Sequence, residues 1–142
     1  MAQINPYINF NGTCREAMEF YQACLDASLN IQTIEGTPFE AKCPAGMKHQ
    51  VMHAALERDG ILLMGSDMTG PDGLHQGNNI SITLNCDSEE QINRFFSKLS
   101  EGGTIIEPMK EQFWGALFGC FTDKFGIRWM LNFEKTPAAG NT

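Results

Sequence analysis

FNGTCREAMEFYQACL at 10–25 and NCDSEEQINRFFSKL at 85–99 decide the fold, because each carries the same signals in the same order. Each leaves a strand, passes a capping signal and runs into one amphipathic helix. The aromatic pair Phe20-Tyr21 falls on Phe95-Phe96, an offset of 75. Further on, DGILLM at 59–64 falls on FGIRWM at 125–130, an offset of 66. A longer loop in the first half absorbs the difference. Two copies of one motif predict one symmetric object with a ligand site between the copies.

In the first copy, Thr13 and Glu16 make a T-x-x-E capping box. Ala17, Phe20, Tyr21 and Cys24 follow at helical spacing, which predicts a helix over about 13–26. In the second, Ser88 and Gln91 make the box and Ile92, Phe95, Phe96 and Leu99 the stripe, over about 88–101. Working outward, residues 3–10 and 28–35 alternate as strands. VMHAALE at 51–57 and ILLMGSD at 61–67 flank Arg58-Asp59-Gly60 as a hairpin. The stretch 36–48, with two Pro and two Gly, reads as a long loop suited to a lid or binding segment.

The second copy supplies ISITLNC at 80–86, TIIEPMK at 104–110, ALFGCFTD at 116–123 and IRWMLNFE at 127–134. The expectation is an α+β chain of two tandem βαβββ modules, about 3–67 and 79–134, with a linker at 68–78. One helix covers only one face of a four-stranded sheet. The modules are therefore expected to form a curved, trough-like mixed sheet, with the helices on its convex side and a small-molecule ligand in the inter-module cleft. The tail after Lys135 is expected to fray.

Composition limits the function. A net charge of −7, with no cluster of Lys or Arg, disfavours nucleic acid and anionic membranes. No apolar run approaches the roughly 20 residues of a membrane span. MAQINPYINF lacks a basic start and an apolar segment, so no secretory signal is expected. Five cysteines without a CxxC spacing point to reduced thiols in the cytosol. Cys24 reads as core, and Cys43, in the loop, as the most reactive.

The module order, with PYINFNGTCREAMEFY at 6–21, VMHAALERDGILLMGSD at 51–67, FWG at 113–115 and TDKFGIRWMLN at 122–132, resembles the vicinal oxygen chelate superfamily. That superfamily includes glyoxalase I, extradiol dioxygenases and bleomycin-resistance proteins. Within it the chain looks like the PhnB-like group. The resemblance implies a divalent metal held by side chains of each module's first and last strands. Carried over residue by residue, those positions are Pro6, Met64, Ser81 and Met130. Proline, serine and two thioethers suit no hard cation, which wants carboxylate or imidazole. No metal and no cofactor are therefore expected. Some relatives carry a methyltransferase label, but no glycine-rich loop follows a first strand here.

His53 lies mid-strand and faces either the cleft or the helix layer, whereas His49 and His75 sit at loop edges. Asp67 and Asp123 end strands, where aspartate is commonly a turn former. The weak catalytic candidates are His53, Asp67 and Glu107, the last paired with Glu111 around FWG. Met64, Met130, Trp114 and His53 are the expected lining of an apolar cleft. The reading is a homodimeric, cytoplasmic small-molecule-binding protein. The alternative is a lyase, isomerase or dioxygenase working through a displaced metal site or metal-free acid–base chemistry. A purely structural role with a filled cleft is the third.

Overall fold

The computed structural model describes residues 2–43 and 45–135. The expected fraying of the tail concerns residues beyond these. The chain divides into two compact units, one ending at His75 and the other starting at Gln76. Unit 1 contains β1 (Tyr7–Asn9), α1 (Cys14–Leu25), β2 (Ser28–Thr33), β3 (Val51–Arg58) and β4 (Ile61–Ser66). Unit 2 repeats the order with β5 (Ser81–Asn85), α2 (Glu89–Leu99), β6 (Thr104–Glu111), β7 (Ala116–Thr122) and β8 (Arg128–Glu134). Each unit is a four-stranded mixed sheet, ordered β1-β4-β3-β2 and β5-β8-β7-β6. In both, the first strand lies parallel to the last and the other neighbours are antiparallel. This is an α+β fold of βαβββ repeats.

Each helix packs on one face of its own sheet. In α1 the buried side chains are Cys14, Ala17, Met18, Tyr21, Cys24 and Leu25. The stripe is thus rotated slightly from the expected one, taking in Met18 and Leu25 and leaving Phe20 half-exposed. Its sheet partners include Ala54, Leu56 and Leu63, all buried. Gly65 marks the closest approach: a Cβ there would lie 3.3 Å from both Cys14 Sγ and Met18 Sδ. In α2 the stripe Ile92, Phe95, Phe96 and Leu99 is buried as expected. Phe96 meets Phe121 edge-on at 5.1 Å, and Trp129 and Leu131 complete this core.

The two capping boxes behave differently. Ser88 Oγ accepts from Gln91 N at 3.0 Å, and Gln91 Oε1 accepts from Asp87 N at 2.7 Å. Thr13 makes no side-chain cap bond. At α1 the acceptor comes from the far end of β4. Asp67 Oδ1 takes the N–H groups of Gly12 at 2.8 Å and Cys14 at 3.0 Å, and Oδ2 takes Val51 N at 3.0 Å. A carboxylate accepts more strongly than a hydroxyl, so Asp67 displaces Thr13 from the role. The expected loop at 36–48 contains two short 3-10 turns, Glu40–Lys42 and Ala45–Met47.

Candidate functional site

Strand alternation leaves one face of each sheet turned away from its helix, and side chains opposite each other across a pair share a face. In unit 1, Met64 faces Tyr7 of β1 on one side and Ala55 of β3 on the other. Asn30 stands opposite Ala55, and Gln32 opposite His53. The helix-free face therefore carries Tyr7, Met64, Ala55, Asn30, His53 and Gln32. Leu62 and Glu57, one rung further, help to line an open depression of about 460 Å³ with residues 3–5 and the hairpin turn. His53 belongs to this face, away from the helix layer. Its Nδ1 lies 3.1 Å from the Tyr7 hydroxyl, with the rings 5.7 Å apart and tilted by 33°. When the phenol donates, the imidazole proton sits on Nε2 and offers a donor to whatever occupies the face.

In unit 2 the equivalent face carries a row running Thr83, Met130, Cys120 and Glu107 across all four strands. Beside it runs Asn85, Asn132, Phe118 and Lys110. Asn132 Nδ2 donates to Asn85 Oδ1 at 3.4 Å. Trp114 lies in the turn between β6 and β7. It stacks edge-on against Phe113 at 5.0 Å and Phe118 at 6.4 Å, and it is 54% exposed. Unit 1 thus brings His53 and Met64 together. Met130 neighbours Cys120 across β7 and β8, whereas Trp114 belongs to the aromatic turn that joins β6 to β7.

The pairing corrects the inferred match between modules. Met64 and Met130 occupy equivalent places, yet their first-strand partners are Tyr7 and Thr83. The strand offset is therefore one more than the helix offset of 75. The extra residue lies in the loop from Asn9 to Cys14, which is one residue longer than the passage from Asn85 to Glu89. Gly12 turns there with φ 94°. A shift of one residue exchanges faces. Pro6 consequently falls on the side opposite Tyr7, and Ser81 stands opposite Arg128. The corrected set is a phenol, a hydroxyl and two thioethers, which fits a hard divalent cation no better. Among the described residues, no three His, Cys, Asp or Glu side chains converge as metal ligands.

Asp67 is buried, and its carboxylate is occupied by the three backbone donors described above. It acts as a latch joining α1, β3 and β4. Asp123 is likewise buried. It accepts from Phe125 N at 2.8 Å, Ile127 N at 3.0 Å and Trp129 Nε1 at 2.9 Å, which builds the last hairpin. Glu107 is exposed on β6, where the register is irregular. All five cysteines are unbridged. Burial, reinforced by Asp67 and opposed by Arg15, pushes the Cys14 thiol up to about 12. Burial and then Asp87 push Cys86 up to about 12. Both stay protonated and unreactive at neutral pH. Cys24 is in the core, while Cys43 is half-buried in the loop. Tyr7 and Cys120 escaped the sequence reading. The signal for each was alternation, counted from Met64 and Met130 across the neighbouring strands.

Two βαβββ sheets, each with one bare face, have the fold seen in glyoxalase, bleomycin-resistance and dioxygenase proteins. A structure with that description from Burkholderia phytofirmans matches over 92% of this chain and 95% of its own, at 11% identity and TM-score 0.60, which speaks to the fold alone. The chain belongs to the PhnB-like family described as 3-demethylubiquinone-9 3-methyltransferase, whose model matches residues 2–132. It is similar to Protein YjdN of Escherichia coli, at 32% identity over 93% of this chain and 95% of that one. Protein PA1353 from Pseudomonas aeruginosa is similar at 40% identity and TM-score 0.82, covering 94% of this chain and 98% of its own. A Bacillus cereus PhnB protein, described as a putative 3-demethylubiquinone-9 3-methyltransferase, matches at 26% identity and TM-score 0.74, over 93% and 99%. Among the described residues, no helix is long and apolar enough to cross a membrane.

Proposed function

We propose that the protein binds a small organic molecule on the helix-free face of its sheets, without a hard divalent metal. The observation that carries this reading is the Tyr7–His53 pair beside Met64. A half-buried imidazole, oriented by a phenol and bordered by a thioether, offers one directional donor in otherwise adaptable surroundings. The ligand carries an acceptor oxygen for His53 and an apolar or aromatic body for the methionine. In this reading the protein works in the cytoplasm as a homodimer, a state that sedimentation measures directly. The family description names methyl transfer. Asp67 already places a carboxylate on Cys14 N at the start of α1, and Ser88 caps Gln91 N at the start of α2, which argues against an anionic cofactor at either helix start.

A thermal-shift screen of metabolites on the wild-type chain tests the reading. A site ligand stabilises by about 2.7 kcal/mol at a hundred times its dissociation constant. Its shift is expected to shrink in Y7F, H53Q and M64E, with little dependence on salt. Hits that bind all three variants as well as the wild type would rule out this face.

A second reading is metal-free acid–base catalysis, the alternative to simple binding. The Tyr7–His53 hydrogen bond favours it, since a phenol and an imidazole in contact can move a proton. Turnover of a screened ligand, lost in H53Q, would distinguish it.

A further inference from the structure

The second unit's face holds a group of donors that the proposed binding reading does not use. Cys120 of β7 and Met130 of β8 are register partners on the helix-free side. Directly opposed side chains place their Cβ atoms about 4.5–5.5 Å apart, so both sulfurs can reach a common point between the strands. Both residues are half-buried, which shields the point without closing it. Glu107 stands opposite Cys120 on the next strand and brings a negative charge to the same row. Thr83 closes the row beyond Met130 with a neutral hydroxyl. Two cations lie one rung away: Lys110 in the neighbouring row, and Arg128, whose Nη1 donates to the carbonyl of Asn78 at 3.5 Å. Unit 1 has nothing comparable, because the place of Cys120 is taken by Ala55.

A thiolate and a thioether are soft ligands, and together they select Cu(I) over the hard and borderline divalent ions. Two sulfur donors suffice for a low-coordinate monovalent ion, where Mg²⁺ or Zn²⁺ would need more oxygen or nitrogen ligands. The acidic neighbour favours a cation and disfavours an anionic ligand. We propose that Cys120 and Met130 form a binding site for a soft monovalent cation, of which Cu(I) is the physiological example. On binding, Cu(I) forms bonds to Cys120 Sγ and Met130 Sδ. The thiol S–H bond breaks and its proton goes to bulk water. No electron is exchanged.

The test is anaerobic competition between the reduced full chain and a chromophoric bidentate Cu(I) chelator, followed by the chelator's colour. The wild-type chain is expected to withdraw one Cu(I) per chain. C120S abolishes that withdrawal, and M130L, which keeps the apolar bulk, weakens it by about tenfold or more. C43S, altering the loop thiol, leaves it unchanged. Circular dichroism of each variant establishes that it is folded. Withdrawal that persists in folded C120S, or that disappears in C43S, overturns the proposal. So does a wild-type chain that takes no Cu(I) from the chelator. Loss of organic-ligand binding in H53Q bears on the first unit's face alone, so the two readings fail separately.

Discussion

In the first unit the start of the helix is held by a carboxylate from the end of the last strand, Asp67; in the second it is held by its own neighbour, Ser88. The strand order is the same and the helix–sheet core is built the same way. The device at the strand-to-helix passage differs, and so does the chemistry of the bare face. Both faces present two amides and a thioether, but unit 1 adds a phenol and an imidazole, whereas unit 2 adds a thiol, a carboxylate and an ammonium. The shared backbone order fixes the architecture, and the residues outside the helix–sheet core are free to diverge.

That comparison is open to measurement, beginning where the effect is largest. Asp67→Ala should destabilise the chain by about 3 kcal/mol, since it orphans two buried donors and one part-buried donor at once. Urea unfolding would show it, and a loss below half of this would mean that water replaces the carboxylate. The next effect is shared by both units. The folded thiols of Cys14 and Cys86 sit near 12, against an ordinary value of 9.0. Above pH 9 the unfolded chain loses these protons first, so stability is complete below about 9 and falls as pH rises toward 12. The fall should be roughly 1 kcal/mol per pH unit for each thiol. Cys14→Ala should flatten the slope by about half, and an unchanged slope would point to other groups.

Smaller still, Ser88→Ala should cost about 1 kcal/mol, the usual value of an N-cap. Thr13→Ala should lie within about 0.5 kcal/mol of wild type, because Thr13 caps nothing. Equal losses from these two substitutions would erase the distinction between the units.

The helices were legible because apolar spacing reports directly on burial. Ile92, Phe95, Phe96 and Leu99 show this without adjustment. The hairpin at Arg58-Asp59-Gly60 was legible because Asp59 and Gly60 both adopt positive φ, which few residue pairs tolerate. The cap at Thr13 was misread because a local pattern cannot see a carboxylate arriving from Asp67. The face positions were harder to read. Their assignment depends on strand register, and a single loop residue near Gly12 exchanged Pro6 for Tyr7. The Tyr7–His53 contact joins strands distant in the sequence, so no local pattern announces it. Asp67 and His53 were both candidates on residue type alone. Hydrogen-bond partners separated them, one fully occupied in the backbone and the other turned toward the open face.

The parallel pairing of first and last strands in each unit has a kinetic consequence. Tyr7 finds its place only when Met64 has been made, and Ser81 only when Arg128 has. The hairpins β3–β4 and β7–β8 can form early from nearby residues, within microseconds once their strands exist. Insertion of β1 and β5 is then the slow event, for it closes the longest loop in each unit. The first unit's closure spans the longer chain, yet loop entropy grows so slowly that the difference is worth only about a few tenths of a kcal/mol. On the ribosome, β1 waits unpaired while the rest of its unit is synthesised, and its brevity, three residues, limits what it can wrongly join in that interval.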